Sequence, residues 1–147
     1  LPVLCQGDMP EKKLLEEFVA TSEASLLGTR KFWQGVDAPG QTLSLVIIDR
    51  LPFPSPNEHL IKARSQAADP MGWWQVELPI GATRLAQGAG RLVRREDDCG
   101  VVAVLDPRFA NRKYSQLLLE ALPPMRRTDD PKAVAQFLRN LAEAQPL

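Results

Sequence analysis

Two short apolar runs constrain this chain most. Leu43-Ser44-Leu45-Val46-Ile47-Ile48 and Val101-Val102-Ala103-Val104-Leu105 are of strand length and almost continuously hydrophobic, the pattern of strands buried on both faces. Leu1-Pro2-Val3-Leu4-Cys5 and Ser25-Leu26-Leu27 read as shorter strands. Helical spacing fills the gaps: residues 11–19 after Pro10, residues 60–68, residues 81–94, residues 111–121 and residues 130–144. Residues 70–79, with Trp73-Trp74, read as irregular. Buried strands alternating with helices predict an α/β fold with a mainly parallel sheet and crossover connections. In such sheets ligands gather beyond the carboxyl ends of the strands. Three polar loops fall there: Gly28-Thr29-Arg30-Lys31, Asp49-Arg50 and Asp106-Pro107-Arg108.

Composition narrows the function classes. The 147 residues suit one domain with a sizeable core. Eighteen basic side chains balance eighteen acidic ones, so an anion site has to be a local patch. Cys5 and Cys99 are too few for a disulfide framework or a four-cysteine metal site. They read as small apolar residues and suit a reducing, cytoplasmic setting. No metal site and no membrane span are expected, since the apolar runs are far shorter than a bilayer requires.

The local patch is in Gln87-Gly88-Ala89-Gly90-Arg91-Leu92-Val93-Arg94. At 100° per residue Gln87, Arg91 and Arg94 share one helix face, joined by Arg84, while Leu85, Ala89, Leu92 and Val93 gather opposite. Gly88 and Gly90 each cost about 1 kcal/mol relative to Ala in a helix interior. Close approach to the backbone, or packing, would account for them. Guanidinium groups beside a Gln suit an anion with several oxygens, such as a terminal phosphate.

Gly28-Thr29-Arg30-Lys31-Phe32-Trp33-Gln34-Gly35-Val36-Asp37, with Pro39-Gly40 after it, resembles motif V of superfamily 2 helicases, in particular the DinG-like branch related to XPD. Leu45-Val46-Ile47-Ile48-Asp49-Arg50-Leu51-Pro52-Phe53 is similar to the strand and loop that follow motif V there. Gln87-x-x-Gly90-Arg91-x-x-Arg94 resembles motif VI, residues 100–108 its trailing strand, and residues 114–123 the run toward a Leu-Pro ending. Arg30-Lys31 and Gln34 depart from the usual Ser before the Phe and Glu before the Gly, adding positive charge.

The resemblance implies a three-layer RecA-like (P-loop NTPase-like) second domain over residues 1–124, and a linker and helix over residues 125–147. The strand-helix unit carrying motif IV is expected to precede Leu1. The Walker A loop, the acidic metal-binding motif and any iron–sulfur cluster belong to a first RecA-like domain outside this chain. ATP and Mg would be held mainly by that missing N-terminal domain. Arg94 and Arg91 would reach its γ-phosphate as arginine fingers. Gln87 would position the attacking water or contact the phosphate. Gly35 and Asp37 would lie on the nucleotide side, and Thr29, Arg30 and Lys31 would contact single-stranded DNA. A sheet edge left open where the preceding unit belongs could be covered by a second copy of the chain.

Plainer readings stand beside these. An Arg row is by default a solvated surface. Arg84 could pair with a carboxylate such as Glu77. Thr29 and Asp37 could be turn formers. Trp73 and Trp74 could stack bases, but one Trp in a core and the other half-exposed is the favoured reading, and Trp33 reads as a packing anchor. His59 reads as a surface-loop residue, and the Arg126-Arg127 to Asp129-Asp130 stretch as a solvated linker. A non-catalytic, degenerate RecA-like module that binds DNA or a protein is the alternative to a helicase domain.

Overall fold

The computed structural model describes residues 1–21, 23–33, 43–92 and 98–144. The chain divides into two compact units. One comprises residues 1–45, 92–101 and 128–147, the other residues 46–91 and 102–127.

In the first unit β1 (Val3–Cys5) and β2 (Ser25–Leu27) pair in parallel, with Val3 opposite Ser25 and Cys5 opposite Leu27. Parallel strands need a crossover, and α1 (Glu11–Ala20) supplies it. Pro10 precedes its first turn, and the i, i+4 pair Leu14 and Phe18 is its buried stripe. A 3-10 turn, Arg30–Trp33, follows β2.

The second two-stranded sheet joins β3 (Leu45–Ile48) to β4 (Val101–Val104). Val101 N–H donates to Ser44 O and Leu105 N–H to Ile48 O, each at 2.9 Å. Both bonds advance in the same sense along the two strands, so this pair is parallel as well. Within the second unit α2 (His59–Ala67) packs on a π-helical turn, Trp73–Glu77, which runs straight into α3 (Leu78–Ala89). The short α4 (Arg108–Asn111) and α5 (Ser115–Ala121) follow β4, and α5 packs on α3. The core of this unit contains Ile48, Leu51, Leu78, Leu85, Ala89 and Leu118. In the first unit, α6 (Pro131–Ala144) begins where Asp130 Oδ1 accepts the Lys132 N–H at 2.9 Å, an N-terminal cap. Val134, Leu138 and Leu141 are half-buried on it, whereas Ala133 and Phe137 are exposed.

The α/β class with short parallel strands stands, but several sequence expectations change. Among the described residues the four strands are hydrogen-bonded as two pairs, β1 with β2 and β3 with β4. β3 is not buried on both faces, since Ile47 is 58% exposed. Residues 73–77 are helical because Trp73 and Glu77 belong to a turn continuous with α3. The expected helix over residues 111–121 breaks at Arg112, which is extended. His59 opens α2. Cys99 is exposed and Cys5 half-buried. Among the described residues no helix is long and apolar enough to cross a membrane.

Candidate functional site

Helix α3 organises the site, and its sequence explains its orientation. Leu78, Gly81, Leu85, Gly88 and Ala89 recur at three- and four-residue intervals and form its buried face. Pro79 sits in its first turn, directly after the π-helical turn. Gln87 lies on the other side and is exposed. The helix ends at Ala89 with Gly90 as its cap, earlier than the expected end near Arg94. Gly is a poor helix-interior residue, and Gly90 keeps a right-handed backbone at φ −67° and ψ −5°. The Gly90 N–H donates to Ala86 O at 2.8 Å, and the Arg91 N–H reaches Gly88 O at 3.3 Å, tightening the last turn. Arg91 is half-buried in that turn and Leu92 is 1% exposed. Arg94 lies outside the described residues, as do Gly35 and Asp37.

Arg84 leaves the proposed cationic row. Its Nη1 donates to Glu58 Oε1 at 3.1 Å and its Nη2 to Glu58 Oε2 at 2.5 Å, a two-pronged ion pair. Glu58 Oε1 also accepts the Ser55 N–H at 2.8 Å. The partner suggested by spacing, Glu77, instead accepts from Ser65 Oγ at 2.7 Å. Arg84 therefore ties the loop before α2 to α3.

In the first unit Thr29 and Arg30 are exposed at the start of the turn after β2. The turn is held by its backbone: Thr29 N–H donates to Gln6 Oε1 at 2.7 Å, and Phe32 N–H to Thr29 O at 3.0 Å. The Phe32 ring lies so close over Gly28 that a Cβ there would stand 2.6 Å from its Cδ2. Lys31 belongs to the same turn.

A buried carboxylate that the sequence reading left as loop chemistry lies beyond the carboxyl ends of β3 and β4. Asp106 is 6% exposed. Its Oδ2 accepts the Leu51 N–H at 2.9 Å and Arg108 Nη2 at 2.6 Å, and its Oδ1 accepts the Arg108 N–H and Nε, both at 3.0 Å. The Arg108 hydrogen bond is the chief reason its pKa falls below the carboxylate range; burial opposes the fall, and the Leu51 N–H assists it. Arg108 is held more firmly protonated by the same contact. Its guanidinium carbon lies 5.6 Å from the centroid of the Phe53 ring. Phe53 meets Trp73 at 5.7 Å and, edge-on, Tyr114 at 5.7 Å between centroids. Trp73 is half-buried in this aromatic cluster and Trp74 is 42% exposed, so neither Trp fills a core. The signal for Asp106 was its place after an apolar strand in Asp-Pro-Arg; its Leu51 N–H partner comes from 55 residues away. Among the described residues no three His, Cys, Asp or Glu groups are gathered to hold a metal ion.

Gln87 and Arg91 therefore stand together at one end of α3, while Thr29 and Arg30 belong to the other compact unit. Residues 1–125 match the family described as helicase C-terminal domain. The chain is 49% identical, over 97% of its length, to the ATP-dependent helicase DinG of Mycobacterium tuberculosis (strain ATCC 25618 / H37Rv). It is 46% identical, over 94% of its length, to the ATP-dependent DNA helicase YoaA of Escherichia coli (strain K12). A protein of Bacillus subtilis (strain 168) named 3'-5' exonuclease DinG is 42% identical over 76% of this chain and 12% of its own. The chain spans 22% of the length of each of the first two.

Proposed function

This chain belongs to the helicase C-terminal domain family, and from that premise we propose that it is the second, three-layer RecA-like domain of an ATP-dependent DNA helicase. ATP binds where this domain meets a first RecA-like domain, which supplies most of the phosphate and Mg contacts. Gln87, Arg91 and Arg94 face the γ-phosphate. Water attacks that phosphorus, its bond to the bridging β-phosphate oxygen breaks with the electron pair going to ADP, and ADP, inorganic phosphate and the water's proton are released. Arg94 and Arg91 neutralise the charge that builds on the transferring oxygens, and Gln87 orients the water. Gly35 and Asp37 lie on the nucleotide side. Thr29, Arg30 and Lys31 hold single-stranded DNA through its phosphates. Alternate closing and release of the two domains moves the strand.

The observation that carries this reading is the end of α3. A fully buried stripe, Leu85 and Ala89 both at 0% exposure, fixes the helix so that Gln87 is presented outward with Arg91 in the next turn. Such an arrangement suits an anion with several oxygens, such as a terminal phosphate. The test is substitution in the full-length protein. Arg94→Ala should lower kcat for DNA-stimulated ATP hydrolysis at least about a hundredfold, with a much smaller change in KM, because a finger acts on the transition state. Arg94→Lys should rescue poorly, since a point charge lacks the planar fork. Arg95→Ala, next in sequence but off the motif VI spacing, should cost little. Equal, mild effects of Arg94→Ala and Arg95→Ala would favour a non-catalytic module that binds DNA or a protein.

A further inference from the structure

Helix α3 carries a notch on its buried face. A Cβ built on Gly81 would stand 2.5 Å from Phe53 Cδ1 and 2.8 Å from its Cε1, far inside normal contact. The aromatic ring therefore occupies the space that any other residue at 81 would fill. Phe53 reaches the notch from the loop after β3, and that loop is itself fixed. Asp106, beyond β4, accepts the Leu51 N–H two residues earlier and grips Arg108, whose guanidinium covers the Phe53 ring. Backbone, buried carboxylate, guanidinium, ring and helix form one unbroken set of contacts within the second unit.

We infer that Phe53, seated against Gly81 and held by the Asp106–Arg108 pair, is a positioning residue that sets where α3 stands relative to the ends of β3 and β4, and so where Gln87 is presented. Gln87 lies six residues past Gly81 on the same helix, about 9 Å along its axis. A rigid helix carries a displacement at the notch to its far end. A displacement of about 1 Å at a reacting group can cost about a hundredfold in rate. Phe53 itself touches no phosphate; it acts through the helix. This inference rests on the proposed role of Gln87 and Arg91 at a γ-phosphate.

The test uses Gly81→Ala, Phe53→Leu and their combination in the full-length protein. Gly81→Ala improves helix propensity by about 1 kcal/mol, so a loss of activity cannot be charged to a weaker helix. It should lower kcat for DNA-stimulated ATP hydrolysis about tenfold while KM for ATP and the Kd for single-stranded DNA stay within about twofold. Adding Phe53→Leu vacates room for the new Cβ and should return kcat to within about threefold of the parent. Phe53→Leu alone, leaving the notch partly empty, should lower kcat about threefold with KM unchanged. Wild-type kcat in both Gly81→Ala and Phe53→Leu overturns the inference. So does a loss in Gly81→Ala that Phe53→Leu leaves unrepaired. If Gly81→Ala does not fold, Phe53→Leu decides alone: wild-type kcat overturns the inference, and a kcat loss at constant KM supports it. Failure of the underlying reading looks different: full-length protein carrying Arg94→Ala, without any change at Phe53 or Gly81, would then hydrolyse ATP at the parent rate.

Discussion

At the scale of single residues, Asp106 carries the largest electrostatic consequence. It is a buried carboxylate whose cost of burial is offset by one guanidinium and two backbone N–H groups. Asp106→Asn keeps the shape but loses the charge and forces an amide N–H2 toward donors. It should destabilise the chain by about 2 kcal/mol in denaturant unfolding, a discounted value because the Arg108 partner is partly exposed. The pH dependence has a definite sign. Asp106 ionises below its ordinary value of 3.8 in the folded chain, so its contribution is complete above that value and is lost as pH falls through the lower folded value. The gap between parent and Asp106→Asn stability should therefore be flat through neutral pH and shrink only in acid. A gap that changed between pH 6 and 8 would place the effect elsewhere.

At the scale of elements, one glycine allows a helical turn to approach α2 where a side chain would keep them apart. Gly72 is buried against α2, and a Cβ there would stand 1.8 Å from the Ser65 carbonyl oxygen. Backbone cannot yield as a side-chain tip can, so Gly72→Ala should cost at least about 2 kcal/mol and loosen α2. Amide exchange should rise through residues 59–67 before it rises in α3. The Arg84–Glu58 pair fastens the other end of α2, with side-chain exposures of 16% and 26%. A double-mutant cycle on Arg84→Met and Glu58→Gln should return a coupling of about 1–2 kcal/mol, between surface and fully buried pairs. Additive effects would show that the two prongs only decorate the loop. Arg84 was legible as part of a cationic row because periodicity reads one helix at a time. Its partner comes from 26 residues earlier in the chain, beyond the reach of any periodicity.

At the scale of the whole molecule, the chain covers only part of what the proposed reaction needs. On its own it should hydrolyse no ATP, because the groups assigned to the β- and γ-phosphates and Mg belong to the first domain in the proposed helicase. Its binding to single-stranded DNA should be weak, independent of sequence and strongly salt-dependent. A steady-state ATPase assay and a salt titration of DNA binding check both. Turnover by the chain alone would overturn the domain assignment. Leu1, Val3 and Leu27, at 88%, 55% and 58% exposure, leave apolar surface in the first unit.

The sequence by itself determined the strands, most of the helices and the order of the two motifs. It also determined which face of α3 is buried, because Leu85 and Ala89 fall at helical spacing from Leu78 and Gly81. These are short-range properties, set by side-chain periodicity and by the backbone preferences of Gly and Pro. Only the tertiary structure decided that the described strands pair two by two, that Arg84 belongs to Glu58, and that the buried Asp106 accepts the Leu51 N–H. It alone showed that Gly81 is a seat for Phe53. Each of these depends on which distant segment arrives at a given surface. Packing chooses that partner from many chemically equivalent ones, and local sequence does not distinguish Glu58 from Glu77.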